Sequence, residues 1–207
     1  FKTRETIKEA EEMNEFFEDG KAILEFLKRK KSKYFAKKGW WLVGCEIPIL
    51  VTPNNNFPNL LFQGYLDLVL YNETSNTFKI IDIKTSKSTW NNVQKSDEIK
   101  QFQLILYKQY FAHQFQVPIE NIDIAFLVVK RKVWEGGDFP ISRIQEFVPS
   151  SGKIKVSRAL NSIDNFIKEC FNSNGIIDRE HPPEPSLHNC RFCPFSNNKE
   201  LCSAGIN

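Results

Sequence analysis

The stretch GYLDLVLYNETSNTFKIIDIKTS, residues 64–86, decides how this chain folds. Two strand-like runs meet in it, Leu60 to Tyr71 and Thr77 to Thr85. The polar break Asn72-Glu73-Thr74-Ser75-Asn76 separates them at hairpin length, so they are expected to lie antiparallel, side by side. Residues two apart along a strand share a face. Asp82 and Lys84 therefore point one way and Ile81 and Ile83 the other, and Asp67 on the partner strand is placed to close a cluster across the pair. Charge in strands built for burial costs several kcal/mol per ion unless it is paired or holds a metal. The stretch reads as an active site.

Working outward, Thr6 to about Lys31 reads as a helix, with Ile7, Ala10, Met13, Phe17, Leu24 and Leu27 recurring at three- and four-residue intervals. Gly20 is a point where it is expected to split. The run Lys28-Arg29-Lys30-Lys31, with Lys33, Lys37 and Lys38, is the most basic part of the chain. It is either a solvated helix end or, if the site handles nucleic acid, a phosphate-contacting patch. Trp40 to Val51 reads as a strand closed by Pro53 and an Asn run, with Glu46 inside it at a buried or an edge position.

Downstream, Ser86 to Ser96 is loop-like, with Trp90 exposed or on the rim. Asp97 to Gln114 reads as a helix whose stripe is Ile99, Phe102, Leu106, Tyr110 and Phe111, and on which Gln103 and Tyr107, four apart, share a face. Ile122 to Lys130 is a buried strand, and a loop with Gly136-Gly137 leads to a further strand at Ile144 to Val148. A second long helix covers Ile154 to Phe171. His181-Pro182-Pro183-Glu184-Pro185 is a rigid connector. The expected class is a mixed α/β (α+β) fold, a central mixed sheet flanked by helices. Residues 1–180 form its core, and 181–207 a cysteine-rich tail.

Bulk properties set bounds on this reading. A chain of 207 residues with 41% hydrophobic and 26% charged content suits one sizeable globular domain with a small appendage. No apolar run approaches the roughly 20 residues that span a bilayer, so no membrane role is expected. The net charge of +3 permits a polyanionic partner without arguing for one. Five cysteines, three of them after residue 189, suit a metal or cluster site in a reducing, cytoplasmic compartment better than a disulfide framework. Cys45 and Cys170 read as inert core thiols. Phe1 is not an initiator, so the chain is expected to be trimmed at its start.

Two carboxylates and an ammonium on adjacent strands suit metal-assisted phosphodiester hydrolysis. Asp67 and Asp82 offer hard oxygen ligands for Mg²⁺ or Mn²⁺, with the Ile83 carbonyl completing the shell. Such an ion lowers the pKa of a bound water. Lys84, beside carboxylates, stays protonated and stabilises a developing oxyanion. A bare Asp-x-Lys is more often an exposed surface pair, and only the assembly of parts says otherwise.

That assembly, Glu46, then GYLD at 64–67, IIDIKTS at 80–86 and QLILY at 103–107, resembles the PD-(D/E)XK nuclease superfamily, in particular its RecB/AddB-type branch. The resemblance implies a restriction-endonuclease-like core. It makes Asp67 and Asp82 metal ligands, Lys84 the catalytic lysine, Glu46 an acid near the metal, and Gln103 and Tyr107 supports for DNA or the lysine. The implied activity is a metal-dependent DNA nuclease, by the habit of the branch an exonuclease on single strands or duplex ends, with a helicase as a possible partner. A catalytically silent DNA-binding scaffold is the rival. In the tail, Cys190-x-x-Cys193-Pro194-Phe195 and Cys202 resemble the C-terminal cysteines of the branch's iron–sulfur subgroup, which implies a [4Fe-4S] cluster. The alternative is a structural Zn²⁺ site completed by His188 or His181. Many relatives carry a metal-binding His on an N-terminal helix, and here no His precedes His113. That His and a fourth Cys are expected before Phe1, or are lacking. His113 itself reads as structural or surface.

Overall fold

The computed structural model describes residues 4–35, 38–133, 142–177 and 183–206, with side chains from residue 10 onward. The expected Gly136-Gly137 loop, and His181 with Pro182 of the connector, lie outside the described residues. The chain divides into two compact units, Phe1–Asp164 and Asn165–Asn207.

The first unit begins with helices α1 (Arg4–Arg29) and α2 (Lys31–Tyr34), followed by strands β1 (Trp40–Val51), β2 (Phe62–Asn72) and β3 (Thr77–Ser86). Helices α3 (Asn92–Ser96) and α4 (Glu98–Phe115), a 3₁₀ turn at Ile119–Asn121, and strands β4 (Ile122–Lys130) and β5 (Ile144–Phe147) follow. Helix α5 (Lys153–Cys170) contains the division between the units.

The five strands form one sheet in the order β1-β2-β3-β4-β5. The pairs β1–β2, β2–β3 and β4–β5 are antiparallel, and β3–β4 is parallel. A parallel pair cannot be joined by a tight turn; α4 supplies the crossover. The resulting mixed sheet flanked by helices is the architecture the sequence predicts. Its larger core lies on the α4 side, around Leu66, Val69, Ile80, Ile105, Phe126 and Val128. On the other side Leu68, Leu70, Ile81, Leu127 and Ile144 pack with Phe26, Leu27, Tyr34 and Phe35.

Several expectations need correction. Helix α1 runs unbroken through Gly20, where a Cβ would meet nothing within 4 Å, so the position imposes no bend. Met13, Phe17 and Leu24 of its expected stripe are exposed; Leu27 packs as expected, joined by Phe26 from outside the stripe. Part of the expected loop is helix α3, started by a capping box between Asn91 and Gln94. Trp90, just before it, is 5% exposed and packs against Phe126 and Phe147, with ring centroids 5.5 and 6.4 Å away. On α4, Ile99 is 82% exposed while Leu104, Ile105 and Tyr107 are buried. Two neighbouring stripes of that helix are both apolar, so periodicity alone could not choose between them.

In the second unit, α6 (Leu187–Cys190) is capped by the Ser186 hydroxyl, which accepts from Asn189 N at 3.0 Å. Ser196 is buried there, and Gly205 lies so close that an added Cβ would sit 2.5 Å from the Ser196 carbonyl oxygen.

Candidate active site

The β2–β3 ladder stops at the pair Leu68↔Ile81. Beyond it β2 stays with β1, down to Val51↔Phe62, while β3 stays with β4, up to Ser86↔Lys130. The two strands part at the rung where Asp67 would face Asp82, and the gap holds the predicted residues. Irregularity is concentrated there. Leu66 packs in the α4-side core and Leu68 in the opposite one, although residues two apart in a regular strand share a face. Strand β2 therefore rotates at Asp67. Across from it on β1, between the pairs Cys45↔Leu68 and Ile47↔Leu66, Glu46 has φ 52°, a left-handed conformation uncommon outside glycine. Such local breaks re-aim side chains beside functional sites.

The Asp67 carboxylate replaces the lost ladder: its Oδ2 accepts from Ile83 N at 2.6 Å. A residue's N–H and C=O leave a strand on the same side. The Ile83 carbonyl accordingly opens into the gap beside Asp67.

Asp82 is 3% exposed, and its Oδ2 is buried with no hydrogen-bond donor. Lys84 Nζ lies 3.0 Å from that oxygen as its ion-pair partner. Burial pushes the Asp82 carboxyl above the usual carboxylate range; the Lys84 ammonium opposes the rise and the Asp67 charge adds to it.

Lys84 is held from α4. Its Nζ donates to Gln103 Oε1 at 3.2 Å, and Gln103 Nε2 donates to Tyr107 Oη at 3.3 Å. Tyr107 is buried with its ring edge-on to Phe62. A Cβ on Gly64 would stand 2.7 Å from Tyr107 Cε1. Only glycine at position 64 admits the ring there. Gly64, Tyr107, Gln103, Lys84 and Asp82 thus form one chain of contacts from β2 through α4 to β3. Sequence reasoning noted the glycine without giving it this task. The signal was available in the spacing of Gly64 three positions before Asp67, ahead of the helical Gln103 and Tyr107.

The structure brings Asp67, Asp82, Lys84, Gln103 and Tyr107 together. Glu46 stands opposite Asp67 on β1, with its side chain exposed. Among the described residues no three His, Cys, Asp or Glu side chains converge in a metal-holding arrangement. Two carboxylates and a carbonyl nonetheless fit Mg²⁺ or Mn²⁺, because Mg²⁺ keeps several of its waters and needs one or two protein carboxylates. The donor-less Asp82 Oδ2 is the atom such an ion would satisfy.

The tail does not fit a cluster in the same way. Cys190 and Cys193 are adjoining in a turn, with Cys193 N donating to Cys190 O at 3.1 Å, and Cys202 lies beyond it. All three are half-buried free thiols that do not close on one point, alone or with His188. His113 is exposed, and so, against expectation, is Cys45, because the irregular β1 edge carries it outward. No helix of the described residues is long and apolar enough to cross a membrane.

Comparison with known proteins adds the following. The family model described as the PD-(D/E)XK nuclease superfamily matches residues 3–198. No curated protein matches the chain. Among solved structures, the crystal structure of SSO0001 is similar with a TM-score of 0.47 and 17% identity, covering 90% of this chain and 70% of that one.

Proposed function

Because the chain belongs to the PD-(D/E)XK nuclease superfamily, we propose that the site between β2 and β3 hydrolyses phosphodiester bonds of DNA with a bound Mg²⁺ or Mn²⁺. The observation that carries this reading is the buried Asp82 Oδ2 without a donor, set beside Asp67 and the Lys84 ammonium.

In this mechanism Asp67, Asp82 and the Ile83 carbonyl hold the cation. When bound, it supplies a water of lowered pKa and positive charge against the phosphate oxygens. Asp67 has a second task, fixing the Ile83 backbone through its N–H. The Lys84 side chain faces the attacked phosphate, where it stabilises the charge that develops on the oxygens. Gln103 holds the lysine by Nζ, and Tyr107 holds Gln103. Glu46, opposite Asp67 and exposed, is an acid near the metal.

The RecB/AddB-type branch is the proposed home within the superfamily. From it come the exonuclease preference, action on single strands or duplex ends, and a helicase or other repair protein as partner. The tail, residues 181–207, is proposed as a separate arm for a [4Fe-4S] cluster, or for Zn²⁺, that forms only if its thiols close together around a further ligand; no reaction step runs through it. Free cysteines suit a reducing, cytoplasmic setting.

End-labelled DNA incubated with the protein and Mg²⁺ or Mn²⁺ tests the reading. Cleavage is expected, and cleavage that persists in Asp82→Ala or Lys84→Ala overturns it. The rival scaffold reading predicts no divalent-ion binding by wild type in a titration. Iron and zinc analysis of anaerobically purified protein decides the tail.

A further inference from the structure

We propose that Lys130 is a second nucleic-acid contact, its ammonium holding a backbone phosphate of the bound strand next to the one attacked at Asp82 and Lys84. The proposal rests on the nuclease reading above and adds to it a binding residue outside the metal and lysine constellation.

Apart from the exposed Asp123, strand β4 is apolar up to the lysine that ends it. Ile122, Ile124, Phe126 and Val128 all enter the α4-side core, and alternation carries Lys130 to that same side. On β3 the corresponding series is Phe78, Ile80, Asp82, Lys84 and Ser86. The parallel register sets Lys84 beside Val128 and Ser86 beside Lys130. Lys130 therefore stands one strand across and two residues along from Lys84, roughly 8 Å by strand geometry. That is the scale of one step along a nucleic-acid backbone.

Lys130 is 7% exposed. Among the described residues its ammonium has no ion-pair or hydrogen-bond partner. Its neighbours differ. Arg131 and Lys132 lie against Asp19, and Lys132 also pairs with Glu15 at 2.5 Å. Further off, Arg158 is paired with Glu98, Lys100 with Asp97 and Lys79 with Glu146. The stem is buried while the ammonium reaches solvent, since the buried side-chain atoms without a partner among the described residues are Asp19 Oδ2 and Asp82 Oδ2; burial of the stem pushes Lys130 below the usual lysine range. Packing does not require the charge: a methionine fills the same stem volume. An anion arriving from outside at this end of the sheet restores the pairing, and the substrate of the adjacent site is a polyanion.

The test measures binding of a fluorescent single-stranded oligodeoxynucleotide by anisotropy over a salt series, with Ca²⁺ in place of Mg²⁺, for wild type, Lys130→Met and Lys130→Arg. Lys130→Met is expected to bind about tenfold more weakly, with the slope of log K against log salt shallower by about 0.7, the share of one phosphate contact on a single strand. Lys130→Arg keeps the slope. In cleavage assays Lys130→Met is expected to raise KM and leave kcat unchanged, the pattern of a contact made equally before and during reaction. Wild-type affinity and slope in Lys130→Met overturn the proposal while the nuclease reading stands. Absence of binding by wild type overturns both. If Lys130→Met does not fold, as judged by circular dichroism, Lys130→Gln replaces it with the same expected outcomes.

Discussion

Strand β3 has two halves that obey different rules. From Phe78 to Ile81 it is paired on both sides, to β2 and β4, and its Ile80 and Ile81 are buried in opposite cores. From Asp82 to Ser86 it is paired on the β4 side only. In the first half the backbone is spent on the ladder, Phe78, Ile80 and Ile81 go to packing, and Lys79 to an ion pair with Glu146. In the second half the freed Ile83 N–H goes to Asp67, and polar side chains occupy positions that burial would assign to aliphatics. The switch takes one residue. It shows how a fold makes a reactive site: a hydrogen-bond ladder is opened, and charges fill the opening.

If the halves are as distinct as this, substitutions in one should damage chemistry and in the other stability. The largest effect is expected for Lys84→Ala. Loss of one such electrostatic contact lowers turnover by about 10² to 10³. Its cost in stability is smaller, since Asp82 can take up a proton when its cation is gone. Turnover with labelled DNA and a urea midpoint on the same samples check the pair of outcomes; a large midpoint drop with normal turnover per folded molecule would break the division. Ile80→Ala is the mirror experiment. Removing a fully buried isoleucine is expected to cost about 2–5 kcal/mol in urea unfolding. The protein that remains folded should cut at the wild-type rate.

Gly64→Ala probes the seam between the halves. The new methyl would meet the Tyr107 ring at 2.7 Å, and overpacking of that kind costs about 1–3 kcal/mol. Moving the ring also releases Gln103 and so Lys84, and turnover should fall with stability. Adding Tyr107→Leu relieves the clash. Stability is expected to recover in the double variant and turnover is not, which separates the two roles of the ring.

How much of this could be read from residues follows the same boundary. The paired half of β3, its partners and the Asp82/Lys84 face were legible, because period-two alternation and a hairpin-length break are local signals. The gap was not. It arises from the rotation of β2 at Asp67 and the left-handed Glu46 opposite, and neither leaves a mark in residue type. Cys45 and Ile99 were misassigned for a related reason: an apolar residue on an irregular edge, or on one of two apolar helix stripes, looks the same in sequence as a buried one. Trp90 erred in the other direction, since polar neighbours concealed the capped turn that tucks it against Phe126. In the sequence Lys130 only ends a strand; its lack of a counter-charge among the described residues is a property of three-dimensional neighbours.

The smallest effect, and the one that sharpens the comparison most, concerns Asp82→Asn. The folded-state pKa of Asp82 is raised, so between the ordinary carboxylate range and that higher value the native state holds more protons than the unfolded one. Stability then falls as pH rises through this window, and the loss is complete above it. Asparagine does not titrate. At neutral pH Asp82→Asn should melt above the metal-free wild type, by on the order of 2–4 °C for each kcal/mol relieved, and the difference should vanish as pH falls below the ordinary carboxylate range. The half-exposed Lys84 loses little by it, because a partly solvated ion pair contributes little. Mg²⁺ or Mn²⁺ should raise the wild-type melting temperature by binding the native state and leave the variant's unmoved. A variant that melts lower at neutral pH, or a difference independent of pH, would mean that Asp82 is a structural charge satisfied within the fold, and the two halves of β3 would then follow the same rule.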